Sequence, residues 1–136
     1  MNTVPRVLFV CVENSNRSQM AEAFARMHGN GAVVAASAGS RPSGRVSAKA
    51  IAAMRERGYD LSTHRSKSVD DVRGDVWDRV VTMGCGDACP WVPASAREDW
   101  PLPDPRDLDE AAVRSVRDEI ERRVLQLFRD LQVNNS

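Results

Sequence analysis

The run Val7-Leu8-Phe9-Val10 is apolar at every position, without polar alternation. Such a run fits a central strand of a parallel sheet, covered on both faces. From about Ser18 the apolar positions change to helical spacing, with Met20, Ala21, Phe24 and Met27 on one side and Gly29 as the expected stop. Val33 to Ala36 reads as a second buried strand, followed by a loop from Ser37 to Gly44. A second helix is expected over Ser47 to Arg57, with Ala50, Ile51 and Met54 inward and Gly58 ending it. Val69 and Val72 predict a short helix over Ser68 to Arg73, and Val80 to Met83 a third strand. Gly84 to Pro105, rich in Gly and Pro, reads as loop. In the last helix Val113, Val116, Ile120, Val124, Leu127 and Leu131 share one face, and Glu119 and Arg123 pair four apart on the other.

Strands alternating with helices imply an open parallel sheet wrapped on both sides, with the loops after the strands gathered on one rim, where ligands bind in such folds. Residues 1–136 are expected to form one domain, without repeats or a linker, and Asn134 to Ser136 to fray. Nineteen basic and nineteen acidic side chains cancel and neither sign is concentrated, which argues against nucleic-acid or membrane partners. Without a long apolar run or a signal-peptide pattern, the cytoplasm is the expected compartment. There an odd count of three cysteines points to thiol chemistry before structural bridging. Only two of the cations are lysines, Lys49 and Lys67.

The chemistry concentrates between the first strand and first helix, in Cys11-Val12-Glu13-Asn14-Ser15-Asn16-Arg17-Ser18. A Cys six residues before an Arg is a weak signal alone; its place on a strand-to-helix loop makes it specific. Such a loop aims several backbone N–H groups at one point, where the helix dipole also favours negative charge. Glu13, Asn14, Ser15, Asn16 and Arg17 would line that cup, and the planar guanidinium of Arg17 suits a tetrahedral oxyanion. The same field favours Cys11 as thiolate, and Ser18 can donate to its sulfur. The competing reading makes Cys11 a buried small hydrophobe and Arg17 a solvated first-turn residue.

The stretch Cys11 to Glu22, with Arg17-Ser18-Gln19-Met20-Ala21 inside it, resembles the active-site loop of thioredoxin-coupled arsenate reductases. These are built on the low-molecular-weight protein tyrosine phosphatase fold. The resemblance continues through Ser37-Ala38-Gly39, Val81-Thr82-Met83 and Trp100-Pro101-Leu102-Pro103-Asp104-Pro105 to Arg117-Asp118-Glu119-Ile120. It implies an α/β fold with an open parallel four-stranded sheet flanked by helices on both sides. It also implies that Cys11 attacks arsenate and that Asp104 protonates the departing oxygen. Without the resemblance, Asp104 between two prolines reads as a turn residue.

Cys85 and Cys89 flank Gly86-Asp87-Ala88, with Gly84 before and Pro90 after. A metal site would need further ligands, and neither His28 nor His64 is suitably spaced, so no metal is expected. Disulfide exchange between the two needs a slight backbone distortion, which Gly84 and Gly86 would ease. The resemblance implies a relay. Cys11 forms a thiol–arsenate adduct, Cys85 attacks Cys11 and expels arsenite, and Cys89 draws the disulfide outward to thioredoxin or another redoxin. No bound cofactor is implied, phosphate or sulfate would fit the same loop, and a monomer is expected.

The chain departs from the family pattern at Glu13, often Gly, at Asn16, where many relatives carry a second Cys, and at Arg106, where many phosphatases have Tyr. Glu13 is expected to point outward, away from the anion. In some relatives a potassium ion supports the loop. Asn14, Glu22 and Ser37 match three of its ligands, and Lys67 stands where the fourth, an aspartate, would be. Lys67 would then replace the ion. His28 and His64 read as structural or surface residues, and Trp77, Trp91 and Trp100 as packing. The alternatives are a phosphotyrosine phosphatase using Cys11, Arg17 and Asp104, and a non-catalytic redox sensor, which would have no use for the acid.

Overall fold

The computed structural model describes residues 4–72, 74–84 and 91–133. Four parallel strands, β1 (Arg6–Cys11), β2 (Val34–Gly39), β3 (Arg79–Thr82) and β4 (Ala96–Asp99), form one sheet in the order β2-β1-β3-β4. Between and after them lie α1 (Arg17–Gly29), α2 (Ala48–Arg55) and α3 (Glu110–Asp130). This is the expected open α/β sheet.

Its two faces are covered unequally. Val7, Phe9 and Cys11 of β1 pack with Met20, Phe24, Met54, Val116, Ile120 and Phe128, so the three α-helices among the described residues serve one face. Leu8 and Val10 point the other way, onto Val69, Val72, Trp77 and Val92, where a 3-10 turn (Val69–Asp71) and loops close the sheet. The short helix expected over Ser68 to Arg73 is this turn, with Ser68 Oγ accepting from the Asp70 N–H at 3.1 Å. Arg73 itself lies outside the described residues.

Gly29 does not end α1 by its conformation. It is the last helical residue, and Asn30 takes the left-handed geometry at φ 47°. A Cβ on Gly29 would meet the Val33 Cβ at 3.3 Å and the Phe128 ring at 3.6 Å, so glycine there permits close packing. Asn tolerates φ > 0 through its short polar side chain. The second helix is shorter than expected, with Ser47 as N-cap, and Gly58 follows at φ +80°. Ser37 to Gly39, read as loop, continues β2.

The larger correction is β4, within the segment read as loop. Its sequence, Ala-Arg-Glu-Asp, carries no apolar pattern because it is a short edge strand with mostly exposed side chains. It holds its place through ladder bonds to β3 and through Asp99, whose Oδ1 accepts from Thr82 Oγ1 at 2.6 Å and the Gly84 N–H at 3.0 Å. The strand thereby delivers Trp100, buried against Phe9 with ring centroids 5.7 Å apart, and the Pro-rich segment behind it.

α3 begins at Asp109, whose Oδ1 accepts from the Ala112 N–H at 2.8 Å. Val113, Val116, Ile120, Val124 and Leu127 are buried as the spacing predicts, with Leu131 half-buried at the C-cap. Arg123 donates to Glu119 at 2.8 Å on the outer face. His28 is structural, bonded to Glu121 at 2.6 Å and stacked on Phe24. Trp77 is buried, but Trp91 is 67% exposed under the Arg97 guanidinium, against the expectation of packing. No helix among the described residues is long and apolar enough to cross a membrane. Residues 134–136, expected to fray, lie outside the described residues.

Glu56 joins α2 to α3, accepting from Arg114 Nη2 at 2.8 Å and from Arg117 Nη1 at 2.7 Å. Those bonds, the Arg114 one foremost, push its carboxyl down to about 2 from the usual 4.5. A lowered folded value stabilises the fold above the unfolded value and is lost as pH falls through the folded one. The difference in urea midpoint between the native chain and Glu56→Gln should therefore be largest above pH 4.5 and disappear towards pH 2.

Candidate active site

The loop from Cys11 to Arg17 leaves the end of β1 and enters α1. Three of its carbonyls are taken by neighbouring segments. Val12 O accepts from the Arg41 N–H at 2.8 Å, Glu13 O from the Ser43 N–H and Ser66 Oγ, and Ser15 O from the Ser47 N–H at 2.8 Å. Among the described residues none of the backbone N–H groups of Glu13, Asn14, Ser15 and Asn16 has a backbone acceptor, and α1 has no side-chain N-cap. Uncapped N–H groups at a helix start form a binding site for an anion. β2 sets the depth of the loop: a Cβ on Gly39 would lie 2.4 Å from Val12 O and 2.9 Å from the Asn14 nitrogen.

Asn14 is fully buried at φ 50°, and its side chain organises the floor. Its Oδ1 accepts from the Lys67 backbone N–H at 2.8 Å, which fixes which end of the amide is oxygen. Nδ2 then donates to Ser18 Oγ at 2.9 Å, leaving the Ser18 hydroxyl hydrogen for Cys11 Sγ, 2.8 Å away. Either atom could donate in that bond; with the Ser18 hydrogen in it, sulfur accepts. Cys11 is only 4% exposed.

A second layer of buried polar groups, not foreseen from sequence, stands behind Asn14. Gln19 Nε2 faces three acceptors, Asn14 O, Asn14 Oδ1 and Arg65 O, at 2.8–3.0 Å. Its Oε1 must therefore accept from His64 Nδ1, 2.9 Å away, and His64 Nε2 accepts from the Tyr59 hydroxyl at 2.6 Å. Burial pushes the His64 ring below its ordinary value, partly opposed by Glu22, and pushes the Tyr59 hydroxyl up. Both directions agree with a neutral ring and a donating hydroxyl. The nearest sequence signal was Gln19's place in the Arg17-Ser18-Gln19-Met20-Ala21 stretch, which does not reveal the His64 partner.

Arg17 donates through Nη1 to Met83 O at 2.6 Å and Leu102 O at 2.8 Å. The guanidinium thus ties the loop to the end of β3 and to the segment carried by β4. Among the described residues these are its only hydrogen-bond partners, so Nε and Nη2 can serve an anion. Asp104 caps a 3-10 turn (Pro105–Asp107), its Oδ1 accepting from the Arg106 N–H at 2.9 Å. It is exposed, on the rim beyond Leu102. Glu13 is partly exposed and pairs with Arg106 Nη2, which also lies 3.5 Å from Asp104 Oδ2. Asn16 donates to Ser47 Oγ at 3.3 Å, while its Oδ1 is buried without a partner among the described residues.

Glu22 lies beneath the loop, 3% exposed, accepting from Ser37 Oγ at 2.6 Å and Arg26 Nε at 2.8 Å. The Lys67 ammonium stands 3.7 Å from Glu22 Oε1 and donates to Arg65 O at 3.0 Å. Cys85 and Cys89 lie outside the described residues. Among the described residues no three His, Cys, Asp or Glu side chains are grouped to hold a metal ion.

The family described as low molecular weight phosphotyrosine protein phosphatase matches residues 6–136. A glutaredoxin arsenate reductase of Synechocystis sp. is 41% identical over 126 residues, covering 90% of this chain and 95% of that one. A putative arsenate reductase of Halobacterium salinarum is 36% identical over 125 residues, covering 88% of each. Among solved structures, an arsenate reductase in the phosphate binding state superposes with a TM-score of 0.84 at 37% identity, covering 96% of this chain and 99% of that one. A thioredoxin-dependent arsenate reductase of Corynebacterium glutamicum gives 0.78 at 34% identity, covering 96% of this chain and 63% of that one.

Gly39→Ala should force the loop off β2, because the atoms its Cβ meets are backbone and cannot swing aside. The expected loss of stability is about 1–3 kcal/mol by urea unfolding. Calorimetric titration should show weaker binding of inorganic phosphate in the same variant.

Proposed function

The chain belongs to the low molecular weight phosphotyrosine protein phosphatase family, and within it we propose that it is an arsenate reductase working through a three-thiol relay. The observation that carries this reading is Cys11 on the floor of an anion cup, with the Ser18 hydroxyl oriented onto its sulfur by Asn14. The chain that supplies this nucleophile holds two further thiols, Cys85 and Cys89, after β3. Relatives named as arsenate reductases support the choice of substrate.

In the proposed sequence the Cys11 thiolate attacks arsenic and an S–As bond forms. The displaced oxygen leaves as water after taking a proton from Asp104. Backbone N–H groups of residues 13–17 and the Arg17 fork hold the remaining oxygens as charge redistributes. The Cys85 thiolate then attacks Cys11 sulfur. The S–As pair stays on arsenic, reducing As(V) to As(III), and arsenite departs as the Cys11–Cys85 disulfide forms. Cys89 attacks Cys85, which returns Cys11 as thiolate and leaves a Cys85–Cys89 disulfide for an external dithiol. No bound cofactor takes part, and the reaction fits the reducing cytoplasm.

The internal thiol pair favours thioredoxin as reductant, in line with the Corynebacterium relative's description, while the Synechocystis relative's name favours glutaredoxin. Turnover with each purified redoxin system separates the two. The family's own description favours a second reading, phosphotyrosine hydrolysis by the same Cys11, Arg17 and Asp104. Aryl phosphate hydrolysis without arsenite release would establish it.

We also propose that Lys67 supplies the positive charge that an alkali cation would bring beneath the loop. Its ammonium, 3.7 Å from Glu22, adds a second positive charge, beside Arg26 at 2.8 Å, to a carboxylate that is 3% exposed.

An arsenite-release assay tests the relay. Cys11→Ser should abolish turnover while leaving the fold intact, and substantial residual turnover would remove Cys11 from its role. Cys89→Ser should release about one arsenite per chain, in line with a single pass of thiol exchange, and trap a Cys11–Cys85 disulfide visible by mass mapping. Sustained cycling by that variant would count against the relay. For Lys67, the native chain should show no preference for potassium over sodium. Clear activation by potassium would overturn the substitution.

A further inference from the structure

Glu13 is a carboxylate beside a cup built for an anion, and Asp104 is a second one on the facing rim. A single nitrogen, Arg106 Nη2, pairs with Glu13 Oε2 and lies 3.5 Å from Asp104 Oδ2. This arginine is not held by its charges alone. Asp104 Oδ1 caps its backbone N–H at 2.9 Å, and Lys49 Nζ donates to Arg106 O and Leu108 O, both at 2.7 Å. Isolated surface ion pairs count for little, but here two carboxylates share one arginine whose backbone is fixed on both sides. Lys49, from α2, thus acts on the rim and not as a free surface cation.

We propose that the Glu13–Arg106–Asp104 strap is a specificity device that selects unesterified tetrahedral oxyanions and excludes phosphate monoesters. The inference rests on the reading of Cys11 as nucleophile and Asp104 as the acid. In-line displacement places the leaving oxygen opposite the Cys11 sulfur, where Asp104 protonates it. In inorganic arsenate that oxygen bears only hydrogen and needs no space beyond the acid. In a monoester it carries an organic group, which must pass between Asp104 and the loop, and Arg106 Nη2 bridges that gap to Glu13. The strap also explains why a carboxylate is tolerated at the loop tip: Arg106 neutralises Glu13, so the approaching anion meets no uncompensated negative charge there.

The double variant Glu13→Gly/Arg106→Ala removes one charge of each sign, keeps the loop N–H groups, and opens the gap. Its kcat/KM for para-nitrophenyl phosphate hydrolysis should rise at least about tenfold over the native chain, the scale on which a pocket contact discriminates substrates. Arg106→Ala alone should gain less than the double variant, because it leaves Glu13 uncompensated beside the cup. Inorganic phosphate titration of each variant reports whether the cup still forms. If the double variant binds phosphate yet hydrolyses the ester within about twofold of the native chain, well inside the contact scale, the strap has no selective role. If it no longer binds phosphate, Glu13→Gln/Arg106→Ala, which keeps a polar side chain at the loop tip while still removing the bridge, is read by the same criterion. A native chain that binds phosphate but never reduces arsenate would sink the reductase reading and leave the strap to be judged on the ester alone.

Discussion

Asn14 sits fully buried at φ 50° and uses both ends of its side-chain amide on the loop that contains it. One end takes the Lys67 N–H from the segment before β3, and the other gives a hydrogen to Ser18 at the start of α1. Without that clamp the Ser18 hydroxyl has no fixed direction, and the bond it makes to Cys11 becomes one of several rotamers. The left-handed backbone at Asn14 is part of the same constraint: the carbonyls beside it meet the N–H groups of Arg41, Ser43 and Ser47, and among the described residues the loop's own N–H groups have no backbone acceptor. Strain of this kind persists only where surrounding bonds over-determine it, and Gln19, His64 and Tyr59 form that support behind Asn14.

The sheet serves the loop in two ways. β2 runs beside it with Gly39, where even one methyl group would strike backbone. β3 and β4 end on the other side, and Arg17 reaches both through Met83 O and Leu102 O. One guanidinium therefore registers the Cys11 loop against the segment bearing Asp104, so displacement of either rim is felt at the loop.

Charge around the cup is arranged in compensating pairs. Beneath the loop, buried Glu22 is surrounded by Arg26, Lys67 and the Ser37 hydroxyl. At the mouth, Glu13 and Asp104 share Arg106. Both lysines of the chain act in these arrangements, Lys67 below and Lys49 through the carbonyls that hold the Arg106 turn. The chain's zero formal charge therefore says little about the cup, where the field depends on nearby dipoles and pairs and not on the net sum.

Much of the architecture was legible along the chain because local patterns carry it. The unbroken apolar run of β1 and the six-residue Cys-to-Arg loop before a helix each require only neighbours in sequence, as does the single buried face of α3. β4 was illegible, since an edge strand of Ala, Arg, Glu and Asp buries little and is defined by the ladder bonds of β3. His64 and Arg106 were illegible as parts of the site for the same kind of reason. Their partners, Gln19 and Glu13, are 45 and 93 residues away, and no periodicity encodes a hydrogen bond across such a distance. Sequence determined which groups could react; the tertiary structure decided which of them share an amide, a guanidinium or a rim, because those contacts exist only once the sheet has brought distant loops to one edge.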